Sequence, residues 1–238
     1  MNADSSGLTQ LTDNTASDRL PAISGDGSRI AFTSNVDGDD EIFLWRAEAV
    51  GEPPSDPEDD SWRPRAPMPT PRADLAVAVV NERIYAIGGF NGIHNLATME
   101  EYNPTTDTWR SRALMPTARG WVAATAVNGK IYVVGGWDGT NYLPTVEEYD
   151  PATDTWRSRA PMPTHRYGLA VVAVDGRIYA IGGQNEIAYL RTVEEYNPAT
   201  DTWRSRADMA TRRYGLAAGV VQGRIYAFGG LNAVDGAM

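Results

Sequence analysis

The side chains best placed to hold a charged ligand are four arginines at a fixed interval. Arg72, Arg119, Arg166 and Arg213 each stand 47 residues from the next. Guanidinium groups gathered in a partial ring would clasp a carboxylate or an acidic peptide through charge-assisted hydrogen bonds. The competing reading is that each arginine bonds carbonyls in its own repeat, because it recurs with the rest of the pattern. A second set comprises positions that differ between otherwise matching copies. Phe90-Asn91, Trp137-Asp138, Gln184-Asn185 and Leu231-Asn232 each follow a Gly-Gly pair, while Ala73, Gly120-Trp121, Tyr167 and Tyr214 follow the arginines. Exposed rings and amides suit peptide or sugar recognition. Neutral drift of loops between duplicates would produce the same variation, so both readings stand.

Metal and acid–base chemistry finds less to work with. His94 and His165 have no partner at metal-ligand spacing, and the chain contains no cysteine, so neither a disulfide nor a thiolate metal site is expected. The run Asp37-Gly38-Asp39-Asp40-Glu41 misses the spacing of a calcium loop and reads as a turn between strands. Glu100-Glu101, Glu147-Glu148 and Glu194-Glu195 resemble catalytic carboxylate pairs only in composition. Neighbours on a strand point to opposite faces, and these pairs recur in every copy, so they read as scaffold. No cofactor is expected.

The elements that position these residues follow from the repeat. Trp62, Trp109, Trp156 and Trp203 share the 47-residue interval, as do Gly88-Gly89, Gly135-Gly136, Gly182-Gly183 and Gly229-Gly230. Residues 66–112 and 160–206 agree at about two positions in three. Each copy reads as four strands. In the first full copy these are LAVAVV (75–80), RIYAIGG (83–89), TMEEY (98–102) and TWRSRA (108–113), with a turn at Asn81-Glu82 and another over 103–107. An apolar run with no polar face implies a strand covered on both sides. Asn103 and Asp107 are expected to bond nearby turn amides. Tyr102 and Trp109, with Tyr149/Trp156 and Tyr196/Trp203, are expected between neighbouring sheets, and the glycine pairs where backbones crowd.

Four short antiparallel strands per copy, at a period of 40–50 residues, describe a propeller blade, which cannot bury both faces alone and must stack on others. The order Gly-Gly, Glu-Glu-Tyr, Trp and Met-Pro-x-x-Arg over about residues 56–238 resembles the kelch repeat. The resemblance implies a propeller with one face that often binds proteins or peptides, and it puts the two variable loop positions on that face. Residues 8–48 depart from this pattern. LTQLT followed by LPAISGDGSRIAFTSNVDGDDEIFLW is similar to the repeat of TolB-like (WD40-like) propellers, with Gly25 where proline is usual. The seam falls at 56–62, whose turn residues lie 47 positions before Asn103–Trp109. The TolB-like segment would then give three strands and SWRPRA the fourth of one hybrid blade, with 47–55 as a loop.

The expected fold is therefore all-β and a single domain over 1–238: a propeller of four-stranded antiparallel blades. Five blades are expected, the last made of two C-terminal strands closed by LTQLT (8–12), which removes exposed sheet edges. A fragment lacking blades is the alternative. Closure within one chain implies a monomer, and closure between chains a strand-exchanged oligomer. Net charge is −10, yet residues 1–62 carry 14 acidic and 3 basic side chains and the remainder is nearly neutral. A neutral body gives no electrostatic reason to expect nucleic acid as a partner. No apolar run approaches a membrane span, and residues 1–20 lack the hydrophobic stretch of a secretory signal, so a soluble chain of unassigned compartment is expected. The functional expectation is a non-catalytic scaffold or peptide-binding module. Its alternatives are a designed or chimaeric propeller with no evolved ligand, which the hybrid join motivates, and a sugar-active enzyme, which would need an acid/base pair in one blade that breaks the repeat symmetry.

Overall fold

A computed structural model of the protein describes residues 64–232 and, ahead of them, the backbone of three strands. The architecture is all-β. Strands β1 (Arg19–Ile23), β2 (Arg29–Ser34) and β3 (Glu41–Arg46) form one antiparallel sheet in chain order. Three four-stranded sheets follow. The first holds β4 (Ala76–Val80), β5 (Arg83–Ile87), β6 (Met99–Asn103) and β7 (Thr108–Ser111). The second holds β8 (Ala123–Val127), β9 (Lys130–Val134), β10 (Val146–Asp150) and β11 (Thr155–Ser158). The third holds β12 (Ala170–Val174), β13 (Arg177–Ile181), β14 (Val193–Asn197) and β15 (Thr202–Ser205). A two-stranded sheet, β16 (Ala217–Val221) with β17 (Arg224–Phe228), ends the described chain. The strand expected at LTQLT, residues 61–63 of the one expected at SWRPRA, and the seam at 47–62 fall outside the described residues, while residues 64–66 lie in no strand.

The first strands of successive sheets lie side by side in the order β1, β4, β8, β12, β16, and β1 also approaches β16. This places them around an axis, with the later strands of each sheet fanning outward, as in a propeller. The inner strands are apolar on both faces because sheets pack on both sides of them. Tyr85, Ile87 and Met99 of one sheet are buried against Val122, Ile131, Val133 and Tyr149 of the next. Val127 and Tyr132 repeat the arrangement against Ile178 and Tyr196. Each such fully buried aliphatic side chain contributes about 1.5–3 kcal/mol. The outermost strands β7, β11 and β15 expose everything but their tryptophans, as edge strands do.

Local chemistry explains the connections. In the four sheets that begin at β4, β8, β12 and β16, the first two strands meet in tight turns with positive φ at both central residues: Asn81-Glu82, Asn128-Gly129, Asp175-Gly176 and Gln222-Gly223. That geometry matches the twist of paired strands. In the second turn, Asn103 Oδ1 accepts from the Thr105 amide at 3.0 Å, as expected of an Asx turn. Asp107 acts differently from expectation. Its Oδ1 accepts from the Tyr102 hydroxyl at 2.5 Å and from the amide of Ala66, 41 residues upstream, at 2.9 Å. Asp154 and Asp201 do the same with Ala113 and Ala160. Trp109, Trp156 and Trp203 donate their indole N–H to the carbonyls of those same alanines. The turn thus clasps the preceding sheet rather than itself.

The glutamate pairs divide their work. Glu101 accepts from Arg110 at 2.9 Å and Arg112 at 2.7 Å, and Glu195 accepts in the same way from Arg204 and Arg206. Burial raises the Glu101 carboxyl, but hydrogen bonds from Arg110, Arg112 and Tyr85 outweigh it and leave the group below its ordinary range. Glu148 and Glu195 are depressed for the same reasons, and hydrogen bonds from Tyr102, Tyr149 and Tyr196 depress Asp107, Asp154 and Asp201. A carboxylate with a depressed folded pKa stabilises above its unfolded value, near 4, and that contribution disappears as pH falls through the folded one. The urea midpoint is therefore expected to be level from about pH 8 to pH 6 and to fall steadily below about pH 5. A midpoint unchanged down to about pH 3 would contradict this account.

Candidate binding site at the loop end of the inner strands

The arginines come first in each repeat, and the structure buries three of them. Arg72, Arg119 and Arg166 are at most 3% exposed. Arg72 Nη1 lies 3.0 Å from Glu100 Oε2, Arg119 Nη1 donates to Glu147 Oε2 at 2.5 Å, and Arg166 Nη2 donates to Glu194 Oε2 at 2.7 Å. The Nη2 group of each also reaches a carbonyl of the same sheet, that of Ala86, Val133 and Ala180 in turn. A threonine completes each carboxylate: Thr70, Thr117 and Thr164 donate to Glu100, Glu147 and Glu194. Burial pulls the Arg166 guanidinium down to about 10 while Glu194 pushes it up, so it remains charged at neutral pH. These three side chains brace the scaffold and present no surface to a ligand. Arg213 is half-buried, donates to the Gly229 carbonyl and has no carboxylate partner among the described residues.

The variable loop positions do come together. Single antiparallel bridges join Ala73 to Phe90, Gly120 to Trp137, Tyr167 to Gln184 and Tyr214 to Leu231. The position after each arginine therefore sits beside the position after each Gly-Gly pair. Just inside them, the backbone links neighbouring repeats: Trp121 N donates to Asp74 O at 2.8 Å, Gly168 N to Trp121 O at 3.1 Å, and Gly215 N to Gly168 O at 2.8 Å. All four residues have φ between 54° and 64°. Glycine meets that demand at two of them, and Trp121 meets it at a steric cost. Gly168 also makes room, since a Cβ there would lie 2.3 Å from the Tyr214 ring.

The result is a continuous aromatic surface. Tyr214 stacks on Trp121 at 5.8 Å and on Tyr189 at 5.3 Å, and meets Tyr167 edge-on at 5.1 Å. Trp137 packs on Tyr142 at 4.8 Å, and Tyr142 on Tyr167 at 5.3 Å. All six rings are half-buried, so each keeps an accessible face or edge. Burial raises the Tyr214 hydroxyl, with Tyr167, the Asp74 charge and Tyr189 adding to the shift. Tyr214 is thus a neutral donor at any physiological pH, beside an acidic group.

Other expected site residues serve their own loops. Asn91, Asp138 and Asn185 use a side-chain oxygen to accept two backbone amides each, at Ile93/His94, Thr140/Asn141 and Ile187/Ala188. Gln184 accepts from the Tyr167 hydroxyl at 3.1 Å. Phe90 is half-buried and makes no ring contact among the described residues. His165 faces the exposed Glu186 at 2.7 Å, and no cluster of metal-ligating side chains occurs among the described residues. The sequence reading missed Asp74, Tyr142 and Tyr189. The signal for the tyrosines was present: Asn95, Tyr142 and Tyr189 are also 47 residues apart and also differ between copies.

The model of the KLHDC2/KLHL20/DRC7 Kelch-repeats domain matches residues 56–230. Human Kelch-like protein 4 is 40% identical over 48 residues, which is 20% of this chain and 7% of that protein. The chain thus spans a small part of that relative's length. A solved structure, that of YjhT, superposes with a TM-score of 0.73 at 19% identity, covering 89% of this chain and 71% of that one. At that identity the likeness concerns the fold alone.

Proposed function

The chain belongs to the kelch-repeat family, and from that premise we propose that it is a non-catalytic interaction module whose contact surface is the aromatic face formed by Trp121, Trp137, Tyr142, Tyr167, Tyr189 and Tyr214. The observation that carries this reading is the convergence of rings from three repeats onto one end of the inner strands, at positions where the repeats differ. Scaffold positions in these repeats are held constant by packing; the aromatic positions are not. Large rings with few rotatable bonds supply contact area at low entropic cost, which is why they dominate binding hot spots. Ring faces attract cations, so the partner we propose is a peptide or protein segment bearing an arginine or lysine that lies over the rings. We also propose that the inner strands β1, β4, β8, β12 and β16 belong to five blades of one ring; the approach of β1 to β16 supports it.

The test is selection of peptides from a random library against the protein, followed by affinity measurement with W137A/Y167A. Recovered peptides should be enriched in Arg or Lys and should bind the double variant at least about tenfold more weakly, at unchanged far-UV circular dichroism. Selected peptides that bind the folded variant as tightly as the parent would remove the aromatic face from the site.

A further inference from the structure

The two-stranded sheet β16–β17 carries the first half of a glutamate-binding arrangement whose second half is present in every four-stranded sheet. In those sheets the third strand adds antiparallel to the second with one register: Ile84 faces Tyr102, Tyr85 faces Glu101 and Ala86 faces Glu100; Ile178, Tyr179 and Ala180 face Tyr196, Glu195 and Glu194 in the same way. The first glutamate enters a buried seat made by an arginine and a threonine, as Glu194 does with Arg166 and Thr164. The second meets the cation that begins the second strand: Glu101 lies 3.6 Å from Arg83, Glu148 3.2 Å from Lys130 and Glu195 3.8 Å from Arg177.

The corresponding groups on the last sheet are Arg213, Thr211, Arg224 and Tyr226. Arg213 Nη1 donates to the Gly229 carbonyl just as Arg166 Nη1 donates to Gly182, so the guanidinium is already aimed as in the occupied seats. Neither Arg213 nor Arg224 has a carboxylate partner among the described residues, and Thr211 and Arg224 are exposed. Next to them, Tyr226 is 43% exposed and Phe228 60%, whereas their counterparts Tyr85 and Ile87 are buried. Among the described residues β16 is the one strand paired with β17, and two cations without a carboxylate partner lie along the same edge as the exposed Tyr226 and Phe228.

We propose that the outer edge of β17 is a docking site for an extended acidic strand of the type apolar-Glu-Glu-Tyr, which adds antiparallel and seats its first glutamate on Arg213 and Thr211 and its second on Arg224 and Tyr226. Strand addition supplies main-chain hydrogen bonds, and the two cations fix register and select for paired carboxylates. A one-residue slip would put both glutamates on the wrong faces, so the match is specific for order as well as charge. The apolar residue ahead of the glutamates would cover Phe228, as Met99 faces Ile87. The surface is distinct from the aromatic face and does not depend on it.

The probe is a fluorescein-labelled peptide with the sequence of residues 191–206, which offers β14 with its own outer strand β15 attached. Titrated with the full chain and followed by anisotropy, it should bind saturably and in a 1:1 ratio. Changing both peptide glutamates (Glu194→Gln, Glu195→Gln) should weaken binding about tenfold or more, and R213A in the protein should do the same while leaving the double-Gln peptide little affected. R224A gives a second reading that leaves the sheet core untouched and should cost severalfold. Absence of saturable binding would mean that the edge is already covered, by residues 1–18 or by a second copy of the chain, and would overturn the proposal. Equal affinity of the two peptides would overturn it as well.

Discussion

Glu147→Ala is expected to lower the unfolding free energy by about 3–5 kcal/mol, the largest effect of any single side-chain truncation in the described sheets. The reason is what it leaves behind. Arg119 is 0% exposed, and Glu147 is the one carboxylate within reach of its guanidinium among the described residues. Truncation removes the 2.5 Å bond to Oε2 and the Thr117 bond to Oε1 together, and a charged group without a counter-ion remains inside. An uncompensated buried charge costs far more than the pair contributes when intact. Glu147→Gln keeps the acceptor oxygen and loses the charge, so it should fall between the parent and the alanine variant. For a chain of this size the alanine variant should melt roughly 10 °C lower.

Arg213 provides the internal control. It belongs to the same series of arginines, yet it is half-buried and has no carboxylate partner among the described residues. Arg213→Ala should therefore cost under about 1 kcal/mol. Urea midpoints of the two variants side by side decide the point. A Glu147→Ala midpoint within error of Arg213→Ala would show that the buried pair does not hold the sheet together.

The contrast between those two arginines marks the boundary of what the sequence makes legible. A strict interval shows that Arg72, Arg119, Arg166 and Arg213 have one job, and recurrence with the scaffold points to bracing. It does not show which group each one meets. Any two constant positions of a repeat keep a constant separation, so the interval of 28 residues between Arg119 and Glu147 carries no more signal than any other. The pairing emerges only when β8, β9 and β10 are laid side by side. Asp107 is a similar case. Its place in a turn suggests a local cap, but positive φ at that residue sends the carboxylate back to Ala66, 41 residues away. The aromatic face was half legible. Copies that agree almost everywhere make their disagreements visible, and this singled out Trp121, Trp137, Tyr167 and Tyr214. Tyr142 and Tyr189 lie where the chain folds back through the Trp137–Tyr142 and Gln184–Tyr189 bridges, and local spacing says nothing of that return.

Gly135→Ala is expected to cost about 3 kcal/mol or more, although it adds a single methyl group. Two effects combine. The residue has φ +67°, where an L side chain is strained. A Cβ built there would also stand 2.6 Å from the carbonyl oxygen of Arg166, a distance that real contacts do not reach. That oxygen cannot yield, because it accepts from Gly136 N at 3.0 Å and belongs to the residue whose guanidinium is buried against Glu194. The backbones of two sheets would have to part at their closest approach, loosening Leu169, 3.0 Å from the same Cβ. Gly176→Ala separates the two effects. It has φ +71°, but nothing lies within 4 Å of its Cβ among the described residues. The chain itself places Glu82, at φ +59°, in the same position of another repeat. Strain without collision should cost about 1 kcal/mol. Equal losses at the two glycines would mean that the backbone angle, rather than the approach of one sheet to the next, is why the Gly-Gly pair recurs.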